Sequence, residues 1–415
     1  MKNLFALVRF TKSGRRNIVP GRSIITFVLM TNLTFGQTVY QKDFDEFWKT
    51  VNENYAYLEK QEIDWKKVKD IYDAKVHAVT NIPDFIRLLE LVINELHNGH
   101  SSLNTNLETS NKLAPSSADI FVEYIDNRYF ITDLRKGFGA ELCGLQTGME
   151  TVKFNDRDID EQLKFFLPKY TDNHNLQMIQ CAISMLFAGT HDKIRKVTAV
   201  NKGETKDYFP DDFKPAVSDN LLESRIIDGK FGYIRINNSL GNYELISAFD
   251  KALESLISTE SLIIDLTETP GGGNTSVARA IMGRFTDSTL PYQIHEVDEY
   301  GFDTKRSWIE LVSPRKTTYR GRLIVMVGHW TGSMGEGMAI GFDGMNKATI
   351  VGTRMAGLIG AIEKFTLSET GISFQIPTER LYHVNGTPRD EYIPVVLTKN
   401  TFDTWDEVMR ILNTN

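Results

Sequence analysis

Cysteine is scarce in this chain. The two residues present among 415, Cys143 and Cys181, cannot form a disulfide framework, and their separation matches no metal-ligand spacing. Two small buried thiols are the expectation. Basic runs with interleaved aromatics are missing after the first 25 positions, and the net charge is −7. That balance lacks the basic footprint of a nucleic-acid binder. Long hydrophobic runs are missing too: the apolar stretch from Ile24 to Phe35 is shorter than the roughly 20 residues a spanning helix needs. Internal repeats and low-complexity segments are absent.

What is present starts with a basic N-terminus. Lys2, Arg9, Lys12, Arg15, Arg16 and Arg22 carry positive charge, and no acidic residue follows until Asp43. With the apolar stretch behind them and Gly36-Gln37 at its end, residues 1–36 read as a signal peptide. An uncleaved anchor is the alternative. The mature chain then begins near Gln37 or Thr38, and the protein is exported, to the periplasm or the outside. Hydrophobic residues at 41% and charged residues at 24% describe a folded chain, long enough for two or three compact units.

Three regions differ in periodicity. Residues 37–112 read as a helical unit: Phe44, Phe47, Trp48, Val51 and Tyr55 recur at helical steps, and Asp64 caps a second helix. A third helix runs from Pro83 to Leu96 and stops at His97-Asn98-Gly99, followed by His100. Residues 113–217 turn to short strands, with Asp126-Asn127 between two runs that form a hairpin. Residues 218–415 alternate buried strands with helices, which points to a largely parallel sheet and an α/β fold.

Two turns in this last region lead from a buried strand into a helix. Pro270-Gly271-Gly272-Gly273-Asn274 offers backbone N–H groups to an anion or an oxyanion, yet lacks the Gly-Lys-Ser/Thr of a phosphate loop. Asn274 is also a plain helix cap. His329-Trp330-Thr331-Gly332-Ser333-Met334-Gly335-Glu336 puts a serine at a helix start, beyond the carboxyl end of a strand, where α/β sheets bind ligands. Alone, Ser333 is an N-cap, and Glu336 completes a capping box.

In order along the chain, His97-Asn98-Gly99-His100-Ser101, LIIDLTETPGGG, TGSMGEG and Ala348-Thr349-Ile350-Val351-Gly352 resemble the motifs of the tail-specific (C-terminal-processing) serine peptidases, in their tricorn-core-like branch. The stretch YFITDLRKGFGAELCGLQTGMETVKFNDRDI resembles a PDZ domain, with Met149 where an aspartate is usual. The resemblance implies a Clp-protease/crotonase-like catalytic domain behind an N-terminal helical unit and a PDZ-like β-rich domain. It implies an exported endopeptidase acting on peptides or unfolded protein tails, without a cofactor or metal.

The serine–lysine branch of the family places its base where this chain has Leu358, and Ile362 stands where that branch has glutamine. An aliphatic side chain takes no proton, so the tricorn-like apparatus is the one implied. Ser333 is then the nucleophile, His100 the general base and Glu391 the supporting acid, with Asp390 able to exchange roles with it. Ser101 and Ser102 are candidate linking hydroxyls. Gly272, Gly273 and Met334 are the expected oxyanion donors. His329 and His97 are rivals of lower standing. Thr267, Thr269 and Met334 depart from the family's pattern, which leaves open a catalytically relaxed lipid- or retinoid-binding protein on the same scaffold. A crotonase-like acyl-thioester enzyme is disfavoured by the β-rich insertion and the export signal.

Overall fold

The computed structural model describes residues 37–215 and 218–414, so the signal peptide expected at 1–36 lies outside the described residues. Helices α1 (Val39–Asn54), α2 (Trp65–Val76) and α3 (Ile82–Asn94) open the chain. Each starts on a polar cap: Thr38, Asp64 and Asn81 accept the N–H of the residue three further on. A short strand β1 (Ser102–Leu103) follows the His97–His100 turn.

The β-rich region contains β2 (Ile120–Ile125), β3 (Arg128–Leu134), α4 (Gly139–Leu142), β4 (Glu150–Phe154), β5 (Arg157–Asp158), α5 (Ile159–Leu163), α6 (Leu176–Ala188), β6 (Val197–Asn201) and β7 (Glu204–Tyr208). Asp126 and Asn127 both have positive φ, the geometry that a tight β2–β3 hairpin requires. The sheet order is β2-β3-β4-β6-β7, with β5 on β4, which leaves β2 at an edge beside α6.

The remainder consists of β8 (Leu222–Ile227), β9 (Phe231–Ile236), α7 (Glu244–Ser255), β10 (Ser261–Asp265), α8 (Thr275–Met282), β11 (Leu290–Glu299), β12 (Thr304–Val312), β13 (Arg322–Val327), α9 (Met334–Gly344), β14 (Thr349–Gly352), β15 (Ala361–Thr366), β16 (Ser373–Tyr382), β17 (Val396–Leu397) and α10 (Thr401–Asn413). The central sheet, β17-β14-β13-β10-β9-β8, is parallel except for β8. Every residue of β10 is buried, because both faces are covered. Leu262 and Ile264 pack with α7, α8 and α9, while Ile263 faces Val408 and Ile411 of α10.

A second, antiparallel sheet was not anticipated from the sequence. Its order is β1-β16-β11-β12, with β15 on β16. β12 is mostly exposed, and its first half, Thr304 to Ser307, is polar, so it does not show the pattern of a buried strand. This sheet also changes the meaning of the helical front end. Phe44, Phe47, Leu89 and Val92 share one core with Phe374 and Ile376 of β16, and the Phe47 and Phe374 rings lie 4.7 Å apart. The β-rich region has a core of its own, built on Ile120, Val122, Ile131, Ile183 and Phe187. Both cysteines are free and half-buried. Among the described residues, no helix is long and apolar enough to cross a membrane.

Candidate active site at the Ser333 turn

β10 and β13 are parallel neighbours, so the turns at their carboxyl ends lie side by side. The Gly332 N–H donates to the Thr269 carbonyl at 2.9 Å, and Thr331 Oγ1 donates to the Leu266 carbonyl at 2.9 Å. Gly273 is required by the closeness of the two turns: a Cβ there would lie 1.6 Å from the Cβ of Met334. Ser333 then enters α9 with φ +53°, a region L side chains other than Asn and Asp seldom adopt. Its backbone N–H donates to Glu336 Oε2 at 2.7 Å, and its hydroxyl lies within reach of His100.

His100 reaches the same place from the far end of the helical region. Asn98 Oδ1 accepts the His100 N–H at 2.9 Å, and Asn98 Nδ2 donates to Tyr55 Oη at 3.1 Å, which pins the turn after α3. The imidazole is buried. Its Nδ1 lies 3.1 Å from the Ile359 carbonyl and its Nε2 lies 3.1 Å from Ser333 Oγ. A carbonyl only accepts, so Nδ1 carries the hydrogen and the Nε2 lone pair faces the serine hydroxyl. Burial, reinforced by the nearby Arg389 charge, holds the imidazole pKa down at about 4.

Glu391 does not join them. It sits in a surface turn of residues 389–391, with its side chain 60% exposed and 3.3 Å from Lys60 Nζ. Asp390 pairs with the same lysine at 2.9 Å. The expectation that either acid orients His100 is corrected here: the Ile359 carbonyl occupies that position at Nδ1. Ser101 Oγ is buried without a partner among the described residues, and it bridges nothing to His100. Ser101 and Ser102 line a separate cavity between α3 and α6.

The acid nearest Ser333 is Glu336. It is buried, and it bonds both Ser333 N–H and the Gly357 N–H, the latter at 2.9 Å. Arg389, also buried, donates through Nη2 to Glu336 Oε2 at 3.0 Å and to the Ser333 carbonyl. Burial raises the Glu336 carboxyl pKa and the Arg389 charge opposes it. The sequence reading missed Arg389 and Ile359. One is a lone cation ahead of two more conspicuous acids, and the other acts through its backbone, which no side-chain pattern reveals.

Leu358 lies between the two turns. A Cβ on Gly99 would come within 3.0 Å of Leu358 Cδ2, and one on Gly332 within 2.9 Å of Cδ1. The side chain thus fills the space beside His100 and Ser333 with hydrocarbon. Among the described residues, the N–H groups of Gly272, Gly273 and Met334 have no hydrogen-bond partner. Two further histidines are engaged elsewhere. His329 stacks on Phe121 with ring centroids 3.6 Å apart, and His97 lies 3.2 Å from both Gln61 Nε2 and Tyr170 Oη. A cleft of about 780 Å³ opens beside the site, lined by Ile120, Phe121, Ile179, Leu358, Glu336 and Arg389 among others.

A half-buried serine beside a buried histidine at the strand ends of an α/β sheet is the arrangement of a nucleophilic hydrolase. Residues 230–393 match the sequence model of peptidase family S41, and residues 37–94 match the tricorn protease C1 domain. The chain is a serine-type peptidase. Its catalytic region, residues 230–393, is of the peptidase family S41 type, behind a front end similar to the tricorn protease C1 domain. The fold agrees with that of mature CPAF, at TM-score 0.63 and 15% identity over 90% of this chain and 96% of that one. It agrees also with the photosystem II D1 C-terminal processing protease, at TM-score 0.56 and 15% identity over 88% and 94%.

Proposed function

We propose that Ser333 is the nucleophile and His100 the general base of an exported endopeptidase. The observation that carries this is the 3.1 Å approach of His100 Nε2 to Ser333 Oγ with Nδ1–H committed to the Ile359 carbonyl. Nε2 takes the Ser333 proton as Oγ attacks the scissile carbonyl carbon. The oxyanion forms toward the Met334 N–H and those of Gly272 and Gly273, and losing one such donor costs typically ~3–4 kcal/mol of barrier. The imidazolium then protonates the leaving amine, and water hydrolyses the acyl-enzyme by the same route.

Among the described residues a carbonyl, not a carboxylate, stands behind the imidazole, and this has a consequence. A neutral carbonyl stabilises imidazolium less than an ionised acid does, so His100 is always neutral near pH 7 but weakly basic. The β-rich region, in a PDZ-like role, would present substrate. Its edge strand β2 and α6 wall the cleft, so an extended chain added along β2 would run toward Ser333. Export rests on the basic and apolar N-terminus alone.

Ser333→Ala is expected to abolish peptide hydrolysis by several orders of magnitude while leaving the melting temperature in place. Full activity in that variant, assayed on an unstructured polypeptide, would remove Ser333 from the mechanism.

A further inference from the structure

We propose that the buried Arg389–Glu336 ion pair is a positioning device, holding Ser333 by both backbone groups and tying its turn to the segment that orients His100. This rests on the reading of Ser333 and His100 as nucleophile and base. Both partners are buried, with side-chain exposures of 5% and 2%. A buried pair is a poor source of stability compared with apolar packing, so its presence calls for another role. The contacts supply one. Glu336 Oε2 takes the Ser333 N–H at 2.7 Å, and Arg389 Nη2 gives to the Ser333 carbonyl. Ser333 sits at φ +53°, a conformation that persists only when its surroundings over-determine it.

The other carboxylate oxygen, Oε1, takes the Gly357 N–H at 2.9 Å. Gly357 begins the segment whose Leu358 packs between the two turns and whose Ile359 carbonyl holds His100 Nδ1. One ion pair therefore sets both the direction of Ser333 Oγ and the anchor of the imidazole. A capping box alone accounts for Glu336, but it does not account for Arg389 on the Ser333 carbonyl.

Arg389 also bears on His100 electrostatically, since its charge disfavours imidazolium. The other charged or titratable groups lining the cleft are Glu336 on α9, Lys60, Asp390 and Glu391 at the rim, Glu123 on β2, His329 after β13, and Arg354 on the segment before Gly357. His97 stands on the same turn as His100, and Tyr57 lies under Gly360.

The experiment compares Arg389→Met, Arg389→Lys and the double variant Arg389→Met/Glu336→Leu with the parent chain. It measures kcat and KM on a peptide and the rate of fluorophosphonate labelling at Ser333 against pH, where circular dichroism shows the chain folded. Arg389→Met is expected to lose about 100-fold in kcat with KM little changed, as a small misplacement of reacting atoms does. Its acid limb should move up by about one pH unit, because removing the cation lets His100 protonate more readily. Arg389→Lys keeps the charge, so its limb stays while kcat is intermediate. The double variant leaves no unpaired charge, folds, and remains slow.

If either Met-containing variant labels at the parent rate with an unmoved limb, the positioning role is wrong while the nucleophile stands. If the parent chain itself fails to label at Ser333, the nucleophile assignment falls, and the positioning role with it.

Discussion

The helical front end and the β-rich region are both appended to the catalytic region, but they are joined to it in different ways. The front end has no core of its own: Phe47 and Leu89 pack into the same cluster as Phe374 and Ile376 of the catalytic region. Its last turn delivers His100 to Ser333. The β-rich region keeps a core of its own, with only Tyr170 and Met178 of its buried residues in the shared cluster, and touches the catalytic region through specific contacts. These include Arg135 to Glu268 at 2.8 Å, Trp330 Nε1 to the Ala118 carbonyl at 2.7 Å, Thr401 Oγ1 to Asp133 at 2.7 Å, and the Phe121–His329 stack. A region that supplies a reacting group is fused by shared packing; one that walls the cleft is held by contacts that can be changed singly.

That contrast can be broken by mutation. Phe47→Ala removes a fully buried ring from the shared core, at an expected cost of about 3–5 kcal/mol. It should lower the melting temperature and the Ser333 labelling together. Ile131→Ala hollows the β-rich core at about 2–5 kcal/mol, and labelling should survive. Equal loss of labelling in both variants would show that the two regions are not joined differently.

A pH titration of stability sharpens the comparison next. His97 and His100 are held near 4 and His329 near 3 by burial, against an ordinary value of 6.5. Their unfolded forms take protons as pH falls below about 6.5 while the folded forms do not. Stability should therefore be full above that value and decline toward pH 4. Asp133, raised to about 6 by burial, works against this, since the folded state takes its proton first. Glu90, Glu95, Glu268 and Glu336, also raised by burial, work the same way as Asp133, whereas Asp211, Asp250, Glu296 and Asp298 are held down by cationic partners and lose that stabilisation as they protonate. A net decline by denaturant unfolding is expected because the histidines and these paired carboxylates act together; a rise on acidification would contradict it. The smallest effect is that of Trp330→Phe. Loss of its bond to Ala118 should cost about 1 kcal/mol, and differential scanning calorimetry should show it in the β-rich region before the rest.

Much of this was legible in the sequence because periodicity and caps are local. The α1 to α3 stripes, the Asp64 cap, the Asp126-Asn127 turn and the buried β10 and β13 all follow from neighbouring residues. The β11–β12 hairpin was not legible, since β12 is largely exposed and the sheet it extends is completed by β16, which pairs with β11 from a distant part of the chain. At the site, Ser333 and His100 were marked by the order of their motifs. Glu391 was chosen by analogy with a closing segment, whereas the structure turns it to solvent and brings Arg389, two residues earlier, inward. Facing directions of loop side chains depend on tertiary packing, which adjacent residues do not encode.

The central claim is that His100 activates Ser333 across 233 positions of chain. Its most direct test is the rate of fluorophosphonate labelling at Ser333, located by mass spectrometry, in the parent chain and in His100→Ala. A loss of about 10²–10⁴-fold with the fold retained is the predicted result. Labelling of Ser333 at the parent rate without the imidazole would contradict it.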